Sequence, residues 1–369
     1  MLFLTLNTFS STGGIQKVSR SMSHALHHIS KTPEWSSFKM HAMNDGQIAD
    51  TRYISQHEFK GFHRNKLKFT FNSILEGVKS KTVILSHINL LFIAMIISLL
   101  SKKPQFVLMA HGKEVWQKLP FWKRIFINKY VVIWAVSNYT AAALKKHKIN
   151  SDQIRILPNC IDPFFKIPKS FKKPEELLKK YELSKHQPII ISIGRLTKYE
   201  TDKGYDKVLR IIPQLLAEFP DLCYLICGQA DAKEKTMLKK LVCKYRLQKN
   251  IKLLDFIPDT ELEAHYQLAD IFILPSKKEG FGLVFIEAAV CGCKVISGNI
   301  DGSVDALLNG KLGIMVDPDS IGQLKQALNL SLIERYTDSQ ARNIQRTCLN
   351  SFSHDQYIEN IKKLLIEHE

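Results

Sequence analysis

The chain has 369 residues, 45% of them hydrophobic and 24% charged, with a formal net charge of +17. That length holds two domains of ordinary size, and the composition excludes a disordered, collagenous or coiled-coil chain. Apolar runs stay short of the ~18 residues a bilayer span needs, and the longest, Asn89 to Leu100, reads as a buried helix.

Met1 leads into LFLTLN with no basic n-region or small-residue cleavage site, so a first core strand is expected there and not a signal peptide. Strands follow over Phe38–Ala42, Thr82–Ser86, Gln105–Ala110 and Val131–Val136, with intervening stretches long enough for helices. After Gly14 the apolar residues Ile15, Val18, Met22, Ala25, Leu26 and Ile29 recur at helical spacing. Residues 163–187 break this rhythm with Pro163, Pro168, Pro174 and many lysines, which places an interdomain linker at 166–187. A second alternation then runs through Ile189–Ile193, Cys223–Cys227, Ile251–Leu254, Ile271–Leu274, Lys294–Ile296 and Gly313–Val316. The expected class is therefore α/β, with two Rossmann-like doubly wound domains, 1–165 and 188–350, facing a central cleft, and a C-terminal helix in 351–369.

Charge is distributed unevenly: residues 1–170 carry 24 Lys and Arg against 8 Asp and Glu, whereas the remainder carries 28 against 27. A one-sided basic field attracts a polyanion or an anionic membrane. Basic side chains interleave with Phe, Leu and Trp at 60–81 and 118–129, a mixture suited to a membrane interface. Seven cysteines, an odd number, fit a reducing cytoplasm. The close pairs Cys223/Cys227 and Cys291/Cys293 read as buried thiols, and no metal site is expected.

Candidate chemistry lies where strands end. Gly280 and Gly282 separate a strand ending at Pro275 from a helix reaching about Cys291, and free N–H groups at such a helix start favour an anion. Glu279 sits on that loop and Glu287 about two turns into the helix; they suit two separate diols of one ligand, or are solvated helix residues. Arg195 follows an apolar strand and Lys203 opens the next helix, a pair able to clamp a diphosphate leaving group, or simply exposed cations. Gly13 and Gly14 form a glycine turn suited to close approach of a diphosphate or sugar, or a simple tight turn. His111 follows the strand ending at Ala110, as a cleft residue or a structural histidine, and Leu157-Pro-Asn-Cys160-Ile-Asp162 ends the last strand of the first domain, or is simply a turn. Asp317-Pro-Asp319 spells a D-x-D motif, yet its place before Ile321, Leu324, Ala327 and Leu328 makes Asp319 or Ser320 a helix cap and not a metal ligand.

Together the Gly13-Gly14 loop, the HG-x-E-x-W segment at His111, LPN-x-x-D at Leu157, GRL…KG at Gly194–Gly204 and E-x7-E at Glu279–Glu287 resemble the retaining GT-B glycosyltransferases of glycosyltransferase family 4, over almost the whole chain. Cys160 departs from the family's usual glycine, so a changed turn is expected there. The resemblance implies transfer of a hexose-type sugar from a UDP- or GDP-sugar with retained anomeric configuration. Neither a metal nor a cofactor is expected to take part. It assigns Arg195 and Lys203 to the diphosphate and Glu287 to the ribose. The donor sugar falls to Glu279 with the backbone of Gly280, Phe281, Gly282 and Leu283. Phe256 and Ile257 would meet the base through backbone groups, and His111 the sugar beside the anomeric carbon. With the basic first domain it also implies a lipid-linked, lipopolysaccharide or exopolysaccharide acceptor, and a peripheral position on the inner face of the cytoplasmic membrane. The alternatives are a nucleotide-sugar epimerase of the same fold and a basic polyanion-binding protein. A nucleic-acid partner is not expected, because neither a zinc module nor an aromatic RNA-binding pattern accompanies the charge.

Overall fold

The computed structural model describes residues 1–35, 37–197, 201–334 and 336–367. It comprises two compact units, Met1–Pro163 with Phe352–Glu369, and Phe164–Ser351. The first unit holds β1 (Leu2–Thr5), β2 (Lys39–Ala42), β3 (Phe59–Gly61), β4 (Thr82–Leu85), β5 (Gln105–Ala110), β6 (Val131–Ala135) and β7 (Ile154–Ile156), in the order β3-β2-β1-β4-β5-β6-β7. The second holds β8 (Ile189–Ile193), β9 (Cys223–Cys227), β10 (Ile251–Leu254), β11 (Ile271–Leu274), β12 (Lys294–Gly298) and β13 (Ile314–Val316), in the order β10-β9-β8-β11-β12-β13. Every strand pairing is parallel. Parallel strands covered on both faces must be apolar throughout, and β1, β4, β8, β9 and β11 are buried at every residue. In each sheet the chain reverses its direction of travel beside the first strand, between β1 and β4 and between β8 and β11. Loops leaving the carboxyl ends of strands diverge at such a point, so a crevice opens there.

One strand is additional to those expected from the sequence, β3, and β7 is the last strand of the first domain, expected to end at Leu157; each is three residues long and lies at a sheet edge. The segment 166–187, expected as a linker, lies within the second unit. Its helix Glu175–Lys180 buries Leu177 and Leu178, and Lys173 bonds Asp270 at 2.7 Å and the Gln187 carbonyl at 2.8 Å. The C-terminal segment belongs to the first unit. There the helix His354–Ile366 buries Tyr357, Ile358, Ile361, Leu364 and Leu365 against the helix Gly14–Ile29, with His354 Nε2 2.8 Å from His24 Nδ1.

The run 89–100 does not form a wholly buried helix. In Leu91–Leu100 one face, Leu91, Ile93, Ala94 and Ile97, enters the core, while Phe92, Leu99 and Leu100 are exposed. The neighbouring helix Lys66–Lys79 repeats the division. Phe69, Ser73 and Gly77 point inward, and Leu67, Phe71 and Leu75, also four residues apart, point outward. Gly77 permits the contact between these helices, since a Cβ there would lie 2.3 Å from Ile97 Cδ1. The helix Phe121–Tyr130 likewise buries Phe126 and Ile127 and exposes Phe121, Trp122 and Ile125. Each of these helices connects strands that step the same way across the sheet, so right-handed crossovers put them on one face. Their buried residues Phe69, Ile97 and Ile127 accordingly join one core cluster.

Candidate active site

In the second unit, β11 delivers the loop Ser276–Gly282 and the helix Leu283–Val290, and β8 delivers Gly194, Arg195 and, after a further loop, Lys203. Lys277 N donates to the Asp202 carbonyl at 2.9 Å, and Lys278 Nζ pairs with Asp202 Oδ2 at 2.9 Å. Gly204 allows this approach, because its φ is +78° and a Cβ would lie 2.5 Å from the Pro275 carbonyl oxygen. Lys203 and Glu279 form an ion pair whose side chains are only 17% and 14% exposed. In that partly dried setting each charge depends on the other or on a ligand of matching sign, since an unpaired buried charge is costly.

Glu287 stands in the second turn of the helix, 3% exposed, and its Oε2 accepts from the Tyr266 hydroxyl at 2.9 Å. Burial and this carboxylate both push the Tyr266 phenol above its ordinary range, keeping it a donor. Neither glutamate is therefore a solvated helix residue. Gly282 adopts φ +91° before the helix, where a side chain would be strained and would strike Phe285. The Phe281 side chain is buried, which leaves its backbone as the part able to meet a ligand. Arg195 lies exposed just beyond β8. Phe256 and Ile257 follow the edge strand β10, two strands from the β8–β11 reversal, with Phe256 half exposed and Ile257 buried.

In the first unit, Gly13 and Gly14 lie between β1 and the helix Gly14–Ile29. The fold does not require glycine at Gly14, where a Cβ would meet nothing within 4 Å. Gly13 is extended, with φ 170°, and a Cβ there would approach only the mobile end of Gln16, at 2.5 Å. His111 follows β5, and its Nε2 lies 3.0 Å from the Ser86 carbonyl at the end of β4. A carbonyl accepts only, so Nε2 carries the proton and Nδ1 presents a lone pair that no group among the described residues satisfies. Burial lowers the imidazole pKa, which keeps His111 neutral. Cys160 has no positive φ, and its buried thiol lies 3.6 Å from His354 Nδ1, so the turn carries a side chain without backbone strain.

Asp319 N donates to Asp317 Oδ1 at 2.9 Å, Asp319 pairs with Lys207 at 3.0 Å and Lys277 at 2.5 Å, and Ser320 caps the helix Ile321–Ile333. Of the two expected caps, Asp319 or Ser320, it is Ser320 that caps, and the D-x-D segment forms the turn leading into it. Of the thiols, Cys223, Cys227, Cys291 and Cys293 are buried, and no group of three or more metal-type side chains occurs among the described residues.

Besides Tyr266, two residues without an assigned role in the sequence support a loop within their own unit. In the second unit Asp301 accepts four hydrogen bonds around the Glu279 loop, and in the first Asp45 accepts four around the loop before Gly13. Both occur as Asp-Gly, which in a sequence signals a turn and nothing more.

Two doubly wound parallel sheets in series, with charged and glycine loops at their reversal points, place the molecule in the GT-B class. A cyanobacterial protein, Anabaena Alr3699/HepE in complex with UDP and glucose, superimposes with a TM-score of 0.79 over all of both chains at 17% identity. The lipopolysaccharide outer core galactosyltransferase WaaB superimposes at 0.72 over all of this chain and 99% of that one, at 15% identity. In sequence, the family model Glycosyltransferase Family 4 matches residues 50–164 and Glycosyl transferases group 1 matches 173–347. The chain belongs to glycosyltransferase family 4. It is 29% identical over 231 residues to the GDP-mannose-dependent alpha-(1-6)-phosphatidylinositol monomannoside mannosyltransferase of Mycolicibacterium smegmatis, covering 59% of this chain and 58% of that protein. It is 26% identical over 187 residues to the phosphatidylinositol N-acetylglucosaminyltransferase GPI3 subunit of Saccharomyces cerevisiae, covering 50% and 39%. The chain therefore spans less than two thirds of these relatives.

Proposed function

We propose that this protein is a retaining, metal-independent hexosyltransferase. It moves a sugar from a UDP- or GDP-sugar to a lipid-linked, lipopolysaccharide or exopolysaccharide acceptor at the inner face of the cytoplasmic membrane. The observation that carries the reading is the Lys203–Glu279 pair, a cation and a carboxylate held together at the carboxyl end of the second sheet. Lys203, with Arg195, neutralises the diphosphate as the glycosidic bond breaks, and Glu279 takes sugar hydroxyls beside the backbone N–H groups of Gly280–Leu283. Glu287, oriented by the Tyr266 hydroxyl, takes the ribose, and Phe256 and Ile257 meet the base. Neutral His111 offers Nδ1 as an acceptor to a sugar hydroxyl, and Gly13 and Gly14 leave room for the donor to approach. None of these groups needs to be a strong base if the departing phosphate oxygen takes the acceptor proton on the same face. Rate then comes from charge stabilisation and positioning. Asp317 accepts from Asp319 N and Asp319 pairs with Lys207 and Lys277, in keeping with the metal-free reading.

The acceptor side is supported by one helical layer. Between residues 64 and 148 there are 15 Lys and Arg and only two acidic residues, Glu76 and Glu114. The same stretch exposes Leu67, Phe71, Leu75, Phe92, Leu99, Leu100, Phe121, Trp122 and Ile125. Apolar contact and ~1 kcal/mol per basic residue would hold such a layer on anionic lipid. Both relatives named above carry phosphatidylinositol in their names, in keeping with an anionic lipid acceptor. No helix among the described residues is long and apolar enough to cross a membrane.

A thermal-shift screen of UDP-, GDP- and ADP-sugars, followed by product assay with excess EDTA, tests the reading. The cognate donor should raise the melting temperature, and a ligand at 100 times its Kd stabilises by ~2.7 kcal/mol. Glycosylated product should appear only with acceptor present. A shift with none of the donors rejects the proposal, and epimer formed without acceptor would favour an epimerase.

A further inference from the structure

Asp301 is 1% exposed and accepts from four neutral donors. Its Oδ2 receives the Ser276 hydroxyl at 3.1 Å and Glu279 N at 2.7 Å, and its Oδ1 receives Ser303 N at 2.9 Å and the Ser303 hydroxyl at 2.6 Å. Four converging donors require an acceptor on both oxygens, which an ionised carboxylate supplies and a protonated or amidated one does not. The next residue completes the hold, since Gly302 N donates to the Glu279 carbonyl at 2.9 Å. Both peptide groups of Glu279 are thus clamped by residues 301 and 302. Gly302 lies so close that a Cβ would sit 2.1 Å from the Gly280 oxygen and 2.8 Å from the Glu279 oxygen. With its backbone fixed here, Glu279 reaches Lys203 by its side chain alone.

The first unit repeats the device. Asp45, also 1% exposed, receives Thr8 N at 2.8 Å and Phe9 N at 3.1 Å on one oxygen, and Ser10 N at 3.0 Å with the Ser10 hydroxyl on the other. Here too the aspartate belongs to an Asp-Gly pair. A Cβ on Gly61, in the edge strand, would lie 1.6 Å from the Gly46 oxygen.

We propose that Asp301 is a positioning residue for the donor sugar, its buried carboxylate setting the Glu279 backbone so that Glu279 meets sugar hydroxyls while Lys203 stays on the diphosphate. This rests on the donor reading above and adds a residue to it. A sugar-specific consequence follows, because the ribose carboxylate Glu287 stands on the helix and has its own partner, Tyr266.

The test uses Asp301→Asn, Glu279→Gln and the double variant in the full chain. Calorimetry reads affinity for bare UDP or GDP, whichever wild type binds, and for the matching nucleotide sugar. Asp301→Asn should leave bare nucleotide affinity within about twofold and weaken the nucleotide sugar about tenfold, the scale of one charge-assisted bond. It should add little to Glu279→Gln, since the two changes act through one contact. Equal loss for bare nucleotide, or additive losses in the double variant, would mark Asp301 as merely structural and overturn the proposal. If Asp301→Asn does not fold, Ser276→Ala removes one donor from the same oxygen and should cost a few-fold in sugar affinity alone. Unchanged sugar affinity in that variant overturns the proposal as well. Loss in Glu279→Gln with none in Asp301→Asn rejects the positioning role only, whereas no loss in Glu279→Gln rejects the donor reading beneath it.

Discussion

Lys203 and Glu279 neutralise one another, and each is also proposed to meet part of the donor. A diphosphate entering beside them would compete with the carboxylate for the ammonium, so the pair holds both groups near their places until the ligand arrives. Lys203→Ala should then lower kcat roughly a hundredfold, because a preorganised charge contact contributes ~2.7 to 4 kcal/mol at the transition state. Circular dichroism would confirm that the fold survives, and near-normal turnover would remove Lys203 from the clamp. The glutamates should separate under calorimetry with nucleoside diphosphate. Glu287→Gln is expected to weaken it, the ribose being common to donor and product, and Glu279→Gln to leave it nearly intact. Matching losses would contradict the division. Lys203 and Glu279 stood out in the sequence because each precedes a glycine, and Glu287 because of its spacing from Glu279. Asp301, Asp45 and Tyr266 did not, since their roles arise only when distant loops meet.

Among the elements, long apolar strands were visible as sequence runs and the short edge strand β3 was not. In β3, Phe-Lys-Gly offers one core side chain, and its glycine disfavours a strand in isolation; it is glycine because Gly46 passes so close. The run 89–100 misled for another reason, since an apolar composition does not say how much of a helix the core can cover. The seam between helices Gly14–Ile29 and His354–Ile366 carries a further expectation. Burial pushes the His354 imidazole down to about 3, with His24 and His28 adding in the same direction. His24 is lowered too, by burial first, then by His27, His28 and Lys31, with Asp355 opposing. Cys160, facing from the loop, has its thiol pushed up by burial and stays neutral. A histidine lowered on folding favours the native state above its ordinary pKa of 6.5 and loses that contribution as pH falls toward about 3. Melting curves between pH 7.5 and 5 should therefore show a shallower pH dependence in His354→Gln than in wild type. His41, lowered to about 4, adds equally to both. Identical slopes would show that the seam is insensitive to acid.

For the whole molecule the decisive asymmetry is electrostatic: the basic excess resides in the first 170 residues, and most of it between residues 64 and 148. Binding to anionic vesicles should be peripheral and should weaken with salt, because the surface potential decays within a Debye length of ~8 Å at physiological ionic strength. Reversing Lys66, Lys68, Lys123 and Arg124 to glutamate should abolish co-sedimentation with anionic vesicles and spare donor affinity, which is assigned mainly to the second unit. Wild type remaining in the supernatant at low salt would leave the charge to a soluble polyanionic acceptor. The sequence showed that charge without showing its arrangement, since only the crossovers bring 60–81, 91–100 and 118–129 onto one side of a sheet.

The return of residues 352–369 to the first unit also dictates an order of events on the ribosome. At about 5 to 20 residues per second, the second unit takes about 10 to 40 seconds to emerge. For that interval the helix Gly14–Ile29 lacks the partner that covers it, since Tyr357, Ile358, Ile361, Leu364 and Leu365 have yet to be made. The nascent first unit thus waits with an apolar flank open to chaperones or to sticky neighbours, and the helix His354–Ile366 closes it.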